Sequence, residues 1–438
     1  MKGATVSRRM AVLFHRIGPY HFARLRASGK VAEVTAIEFS NRDSTYAWDP
    51  VPGQAGFERV TLFHDVAVET QSGRQVDLAV CKALSQVRPE VVAIPGWSHC
   101  CSLAALRWCL RQRVPAVLMS ETTAWDQKRS FWKEALKRRV VNVCSTGLVG
   151  GRSHVEYLGA LGMPRQRIFL GYDAVDNDYF RQRVAEIRRE AAAHALRPAF
   201  VRAGCPSELE PGDTGAAERY GLPGQYFLAS ARFVAKKNLP RLLEAYAAYR
   251  VRGVGNGSRE STNPGQDGGW DLVLLGDGPL RRTLETQIAS LNLRSHVHLP
   301  GFKQYAELPA YYARANAFIH PSTTEPWGLV VNEAMASGLP MLVSERCGCC
   351  SELMSPGKNG FTFDPLDVGQ MAGLMQKIAA VDAETRRQMG LESQRLVAAW
   401  GPERFASGLN QAAEAACRLP RPSPSGAAGL WLRLLAAR

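Results

Sequence analysis

Two carboxylates and two cations carry the most chemistry in this chain. Glu325 and Glu333 lie in the stretch Thr323–Pro340, TTEPWGLVVNEAMASGLP. Gly328 opens an apolar run that Gly338 and Pro340 close, so the spacing predicts a helix over Leu329–Ser337. Its first amides, on Leu329, Val330 and Val331, would point out of the turn. Together with the positive end of the helix dipole they suit a phosphate. Helical side chains lean toward the N-terminus, so Glu333 reaches back toward the end that Glu325 precedes. A carboxylate can accept from two vicinal hydroxyls at once. A ligand with a central diphosphate and a hydroxylated ring on either side, the shape of a nucleotide sugar, would satisfy both glutamates. Arg232 and Lys237 follow a strand expected at Tyr226–Ser230 and precede a helix expected from Leu239. A guanidinium and an ammonium there can hold the same diphosphate and offset the charge that builds on it as a leaving group.

Such groups need a frame that brings loops together. From Met10 onward, short apolar runs alternate with helix-like stretches, the pattern of parallel sheets covered by helices. Strands are expected at Met10–Phe14, Val91–Ile94, Ala116–Met119 and Ile168–Leu170, with helices at Ser102–Arg113 and Phe131–Val141 between them. A second α/β series starts at Tyr226, with further strands at Trp270–Leu275 and His296–Leu299 and helices at Leu239–Arg250 and Pro279–Leu291. The expected division is an N-terminal domain over residues 1–183, a connection over 184–224, a C-terminal domain over 225–398, a helix crossing back over 399–420 and a tail over 421–438. Residues 252–269 are nearly all Gly, Ser, Asn, Asp and Arg, and read as a surface loop.

The bulk properties narrow the classes. The chain has 438 residues, 46% hydrophobic and 21% charged, as expected of a globular protein of two or three domains. Its apolar runs fall well short of the roughly 20 residues that a membrane span requires. Met10–Phe14, after the basic Arg8 and Arg9, is a strand rather than a signal peptide. Ten cysteines without the spacing of a secreted disulfide framework predict a reducing, cytoplasmic setting. The net charge of +14 suits phosphate-bearing ligands, an anionic membrane or nucleic acid. Zinc-finger, RNP-like and helix-turn-helix signatures are all missing, which argues against nucleic acid.

Several segments together resemble glycosyltransferase family 4, whose members have the GT-B fold. LASARFVAKKN resembles the family's strand, Arg-x4-Lys and helix segment; LVLLGDGPL its Gly-x-Gly turn; LPGF at Leu299–Phe302 a loop near the base. EPWGLVVNEAMASGLP contains the E-x7-E element, and NGFTF and GYDAVDNDYF also have counterparts. The resemblance implies two Rossmann-like domains facing each other across a cleft. It also implies sugar transfer with retention from a nucleoside-diphosphate donor to a glycan or lipid-linked acceptor. Arg232 and Lys237 would serve the diphosphate, Glu325 the donor sugar, Glu333 the ribose, and Phe302 the region of the base. Gly18, in RIGPYH, would approach the donor phosphates, and a glycine just after a first parallel strand is suited to that. With Arg232 and Lys237 in the cation's place, no metal and no cofactor besides the co-substrate are expected.

Other residues have plainer readings. Lys236 beside Lys237 reads as surface charge. Cys347, Cys349 and Cys350 lack the separated partner pair of a structural zinc site, and Cys349 stands where the family turn has a glycine. Asp176-Asn177-Asp178 follows a turn instead of a long apolar strand, so local Asx chemistry is expected in place of metal binding. Many family members carry a histidine at the end of the strand Ala116–Met119. Here Glu121 is the nearest equivalent, with His99 and His21 as weaker candidates. Finally, KRSFWKEALKRRVV at Lys128–Val141 interleaves six basic residues with Phe131, Trp132 and Leu136. It reads either as an amphipathic helix lying on anionic lipid at the inner face of a membrane, or as a helix packed on its own sheet.

Overall fold

The structure is a computed structural model that describes residues 8–42, 48–51, 56–196, 221–254 and 269–421. It contains two compact units, Met1–Asp176 with Trp400–Arg438, and Asn177–Ala399. The first is built on β1 (Arg9–Phe14), β2 (Glu33–Ser40), β3 (Glu58–Phe63), β4 (Val91–Pro95), β5 (Ala116–Ser120), β6 (Thr146–Val149) and β7 (Ile168–Leu170). These strands form a parallel sheet in the order β3-β2-β1-β4-β5-β6-β7. Strand residues alternate between two cores, as the pleat requires. Ala11 and Leu13 of β1 join one, with the helix Cys100–Gln112. Met10, Val12 and Phe14 join the other, which the helix Pro402–Arg418 covers with Phe405, Leu409, Ala412 and Ala416.

The second unit is built on β8 (Tyr226–Ser230), β9 (Asp271–Leu275), β10 (Val297–Gly301), β11 (Ala317–His320), β12 (Met341–Ser344) and β13 (Gly360–Phe363). Their order is β10-β9-β8-β11-β12-β13, again all parallel. The chain runs outward from β8 to β10 and then returns to the far side of β8 as β11. That reversal is a topological switch point, where loops at the carboxyl ends of neighbouring strands diverge and leave room for a ligand. The first sheet reverses in the same way between β1 and β4.

The boundary between the units differs from the expected one. The helix Asn177–Leu196 belongs to the second unit, so residues 177–183 leave the first domain and 184–196 are not a connection. Phe180 and Val184, one turn apart, are buried, and the Phe180 ring meets Tyr305 and Tyr312 at 5.3 and 5.7 Å. Arg188 Nε donates to the Ala313 carbonyl at 2.8 Å. Most of the rest of the expected connection, most of the Gly- and Ser-rich loop and nearly all of the tail lie outside the described residues. In Asp176-Asn177-Asp178, Asp178 pairs locally with Arg181, whereas Asp176 pairs with Arg26 and Asn177 Nδ2 donates to the Val397 carbonyl, so long-range partners take the place of the expected local turn chemistry. No helix among the described residues is long and apolar enough to cross a membrane.

His21 is half-buried in the first unit, and desolvation of its ring together with the nearby Arg24 charge pushes its pKa down to about 3. Its folded-state pKa is below the unfolded value, so the unfolded chain binds the extra proton and stability falls as pH drops below about 6.5. At about pH 5 the loss from this residue alone is expected to be about 2 kcal/mol. Urea unfolding at pH 7 and near pH 5 checks this, with His21→Leu expected to show a shallower drop. An equally steep drop in the variant would assign the effect elsewhere.

Candidate functional site

Two loops meet at the switch point of the second sheet. The first leaves β8 and carries Arg232 and Lys237; the second leaves β11 and carries His320, Ser322 and Glu325. The first loop is braced by the turn Gly276-Asp277-Gly278. Phe233 N donates to the Asp277 carbonyl at 2.8 Å, and Leu280 N to the Phe233 carbonyl at 3.0 Å. Both glycines have positive φ, and a Cβ on Gly276 would run into the Ala231 carbonyl, so this turn requires glycine. The two loops are tied together by Asn238, whose amide donates to the Pro321 and Pro365 carbonyls at 3.1 and 2.7 Å. Asn238 is itself left-handed (φ 58°), a conformation Asn tolerates better than most residues. Thr323 N adds a bond to the Lys236 carbonyl at 2.9 Å.

This clamp sets Lys237 against Glu325 in a largely buried ion pair. Lys236 is exposed, whereas Lys237 is half-buried against Glu325. Glu325 Oε2 also lies 3.3 Å from His320 Nε2 and 3.4 Å from Ser322 Oγ. Burial raises the Glu325 pKa, but the Lys237 charge and the His320 hydrogen bond outweigh it and hold the carboxyl well below the usual range. His320 moves the opposite way from a typical paired histidine. Burial lowers its pKa more than Glu325 raises it, and Lys237 adds to the lowering. The site is therefore an ionised carboxylate between an ammonium and a neutral imidazole. It can accept hydrogen bonds from hydroxyls, and it is a poor proton donor.

The helix Leu329–Ala336 starts beside this pair from Gly328, whose φ of 103° requires a glycine. The Val331 amide donates to the Gly328 carbonyl at 2.8 Å, so it closes the first turn and is not one of the outward amides; that leaves Leu329 and Val330 for this role. Glu333 is wholly buried, and Tyr312 donates to its Oε2 at 2.6 Å. The structure thus joins Glu325 to Lys237 directly and places Glu333 in a separate pair with Tyr312, itself linked to Ser230 at the end of β8. Arg232 is half-buried in the β8 loop, and Phe302 is 38% exposed just after β10, where Gly276 N donates to the Gly301 carbonyl at 3.0 Å.

The cysteine-rich turn supports the β11 loop from below. Gly348 N donates to the Glu325 carbonyl at 3.0 Å and Cys349 N to the Trp327 carbonyl at 3.3 Å. Cys347 and Cys349 are buried, and both thiols are pushed up, Cys347 mainly by burial and Cys349 by its Cys350 hydrogen bond and then burial. Protonated, enclosed thiols suit packing rather than ligation. Cys349 thus contributes to the β11 loop through its backbone amide.

In the first unit, Gly18 ends the β1 loop with ordinary extended geometry, and a Cβ there would meet nothing within 4 Å. Neither backbone strain nor packing within the described residues explains the glycine. Its loop is held by Glu38, a buried carboxylate on β2 that accepts from Ile17 N at 2.6 Å and from Arg59 and Thr61. Glu121 stands exposed after β5. His99 caps its helix by accepting from Cys101 N at 3.2 Å and stacks on Phe39, while His21 is half-buried with its ring against Phe14.

Sequence reasoning missed His320, Ser322, Asn238, Tyr312 and Glu38. For His320 a signal was present, a histidine closing an apolar strand directly before Pro-Ser; Asn238 and Tyr312 reveal themselves only through long-range contacts.

Two Rossmann-like parallel-sheet domains with this arrangement define the GT-B fold. Anabaena Alr3699/HepE in complex with UDP and glucose has the same fold, with a TM-score of 0.63 at 16% identity over 94% of this chain and 100% of that one. Residues 220–395, most of the second unit, match the family glycosyl transferases group 1. The alpha-D-kanosaminyltransferase of Streptomyces kanamyceticus is 28% identical over 220 residues, 49% of this chain and 53% of that protein. The amylovoran biosynthesis glycosyltransferase AmsK of Erwinia amylovora is 28% identical over 192 residues, 42% of this chain and 46% of that protein. The chain spans about half the length of these curated relatives.

Proposed function

We propose that the chain transfers a sugar from a nucleoside-diphosphate sugar to an acceptor hydroxyl, with retention of configuration, in the synthesis of a cell-surface polysaccharide, glycolipid or related glycoconjugate. The observation that carries this reading is the Lys237–Glu325–His320 cluster at the switch point of the second sheet, with Arg232 in the same loop. The match of residues 220–395 to glycosyl transferases group 1 supports it, as does the UDP bound by a protein of like fold. In this reading Arg232 and Lys237 bind the diphosphate together with the Leu329 and Val330 amides beyond Gly328. Glu325 accepts from the donor sugar's hydroxyls, Glu333 serves the ribose, and Phe302 borders the base. Gly18 and Glu121 are assigned to the donor phosphates and to the sugar or acceptor.

Lys237 changes partners in this scheme. Before a donor arrives its charge is met by Glu325; a diphosphate then shares it, and the freed carboxylate oxygen turns to the sugar. As the bond from the anomeric carbon to the diphosphate breaks, the acceptor oxygen attacks the same face, and its proton passes to the departing phosphate. Glu325, held ionised, does not supply a proton.

Thermal-shift screening of nucleotide sugars tests the reading, because a bound donor stabilises the folded chain by mass action. One donor should raise the midpoint and be consumed when acceptor is added. A chain that no nucleotide or nucleotide sugar stabilises would contradict it. Gly18→Ala gives a second check. Unfolding should be unchanged, since the added methyl meets nothing, while donor binding should weaken at least about tenfold as the methyl displaces the phosphates. Unaltered donor affinity would remove Gly18 from the site.

A further inference from the structure

The basic aromatic segment is not used by the proposed transfer, and the structure separates its two readings. The helix Phe131–Val143 packs on the first core through Val140 and Val141, so its C-terminal half is an ordinary covering helix. Its beginning is different. Phe131 and Trp132 are 78% and 80% exposed, the most exposed large apolar side chains among the described residues. Their rings contact each other at 5.6 Å, edge to face. Trp125, 45% exposed, lies in the loop between β5 and this helix.

The charges sort in the same way. Arg129 and Lys137 are committed within the unit: Arg129 pairs with Asp126 and Glu134, and Lys137 with Glu134 at 3.0 Å and the Tyr157 hydroxyl at 2.9 Å. These bonds fix the loop and the start of the helix. Lys128, Lys133 and Arg138 are exposed, and Arg139 is exposed as well while engaged in a contact of its own. Seven residues make about two helical turns, so Phe131 lines up with Arg138, and Trp132 with Arg139, about 10 Å further along the axis. The outward face, Phe131, Trp132, Arg138, Arg139 and Asn142, holds no acidic residue.

We propose that this face docks the first unit on an anionic lipid surface, with Phe131 and Trp132 entering the headgroup boundary and the arginines and lysines pairing with lipid phosphates. Two adjacent aromatic rings in water gain by partial burial, and the interface accepts rings whose neighbours are cationic. Each basic residue near an anionic leaflet adds to the attraction, which salt weakens. A protein partner would have to offer an acidic surface with a pocket for two rings. A bilayer offers both chemistries over any contact angle.

Co-sedimentation of the full chain with lipid vesicles tests this without donor or acceptor, so its outcome is independent of the transfer reading. The chain should bind vesicles of phosphatidylcholine with one third phosphatidylglycerol, and bind phosphatidylcholine alone far more weakly. Phe131→Ser with Trp132→Ser should lower binding to the anionic vesicles about tenfold or more. Arg138→Ser with Arg139→Ser should lower it and flatten its salt dependence. Circular dichroism should show both variants folded, as the altered residues lie outside the core. Brominated lipid should quench Trp132, read as the difference between wild type and Trp132→Phe. Wild-type chain that ignores anionic vesicles, or a serine double variant that binds them undiminished, would overturn the proposal. So would a wild-type dimer that the double variant dissolves in the absence of any vesicle binding, which would make the face a contact between copies.

Discussion

Arg232→Ala and Lys237→Ala are each expected to reduce turnover by about two orders of magnitude or more, the usual cost of removing a group that meets charge as it develops. The two variants should differ in stability. Arg232 is half-buried in a loop held by backbone bonds to the Gly276–Gly278 turn, so its loss should leave unfolding nearly unchanged. Lys237 is the ammonium against a buried Glu325 carboxylate. Removing it strands that charge beside a neutral histidine, and the expected cost is about 3 kcal/mol. The double variant Lys237→Ala with Glu325→Gln removes the stranded charge and should recover most of that stability while recovering no activity. This separates a misfolded site from a chemically disabled one. Near-normal turnover of either single variant with every active donor would mean that its cation does not serve the diphosphate.

The second unit was legible because its signals are local. Tyr226–Ser230 and Asp271–Leu275 are short, almost wholly buried apolar runs, and Gly328 and Gly338 punctuate the helix between them. A one-sequence reading could therefore place Arg232 and Lys237 after β8, Glu325 ahead of the helix Leu329–Ala336 and Glu333 within it. It could not see that β8 and β11 are neighbours, since pairing across about 90 residues leaves no local trace. For that reason the sequence assigns Lys237 and Glu325 separate ligand contacts without the bond that joins them, and carries no sign of Tyr312 on Glu333. In the first unit β2 and β3 were missed because their sequences are mixed. EVTAIEFS buries Thr35, Glu38 and Ser40 on partners that only the fold supplies. The boundary near Asn177 was obscured by turn-forming residues that look like a linker, whereas the burial of Phe180 and Val184 decides where the helix belongs.

Chelation and the two glutamates give the last test. A diphosphate bound by a guanidinium, an ammonium and two helix amides already has its charge compensated, so EDTA should leave turnover largely unchanged. Glu325→Gln should then act chiefly on turnover. Its carboxylate is held ionised next to Lys237 and His320, and in the proposed site it faces a sugar whose charge and shape change in the transition state. The neutral amide also loses its attraction for Lys237, so the ammonium is no longer positioned by it. Glu333→Gln should act chiefly on donor affinity, because ribose is the same in ground and transition states. The buried Tyr312–Glu333 bond sharpens this expectation. Tyr312→Phe removes that donor while leaving the carboxylate, and should copy the affinity loss of Glu333→Gln in weaker form, with turnover preserved. Activity lost on chelation and restored by Mn²⁺ or Mg²⁺ would overturn the metal-free site, and a turnover defect in Glu333→Gln with an affinity defect in Glu325→Gln would exchange their roles.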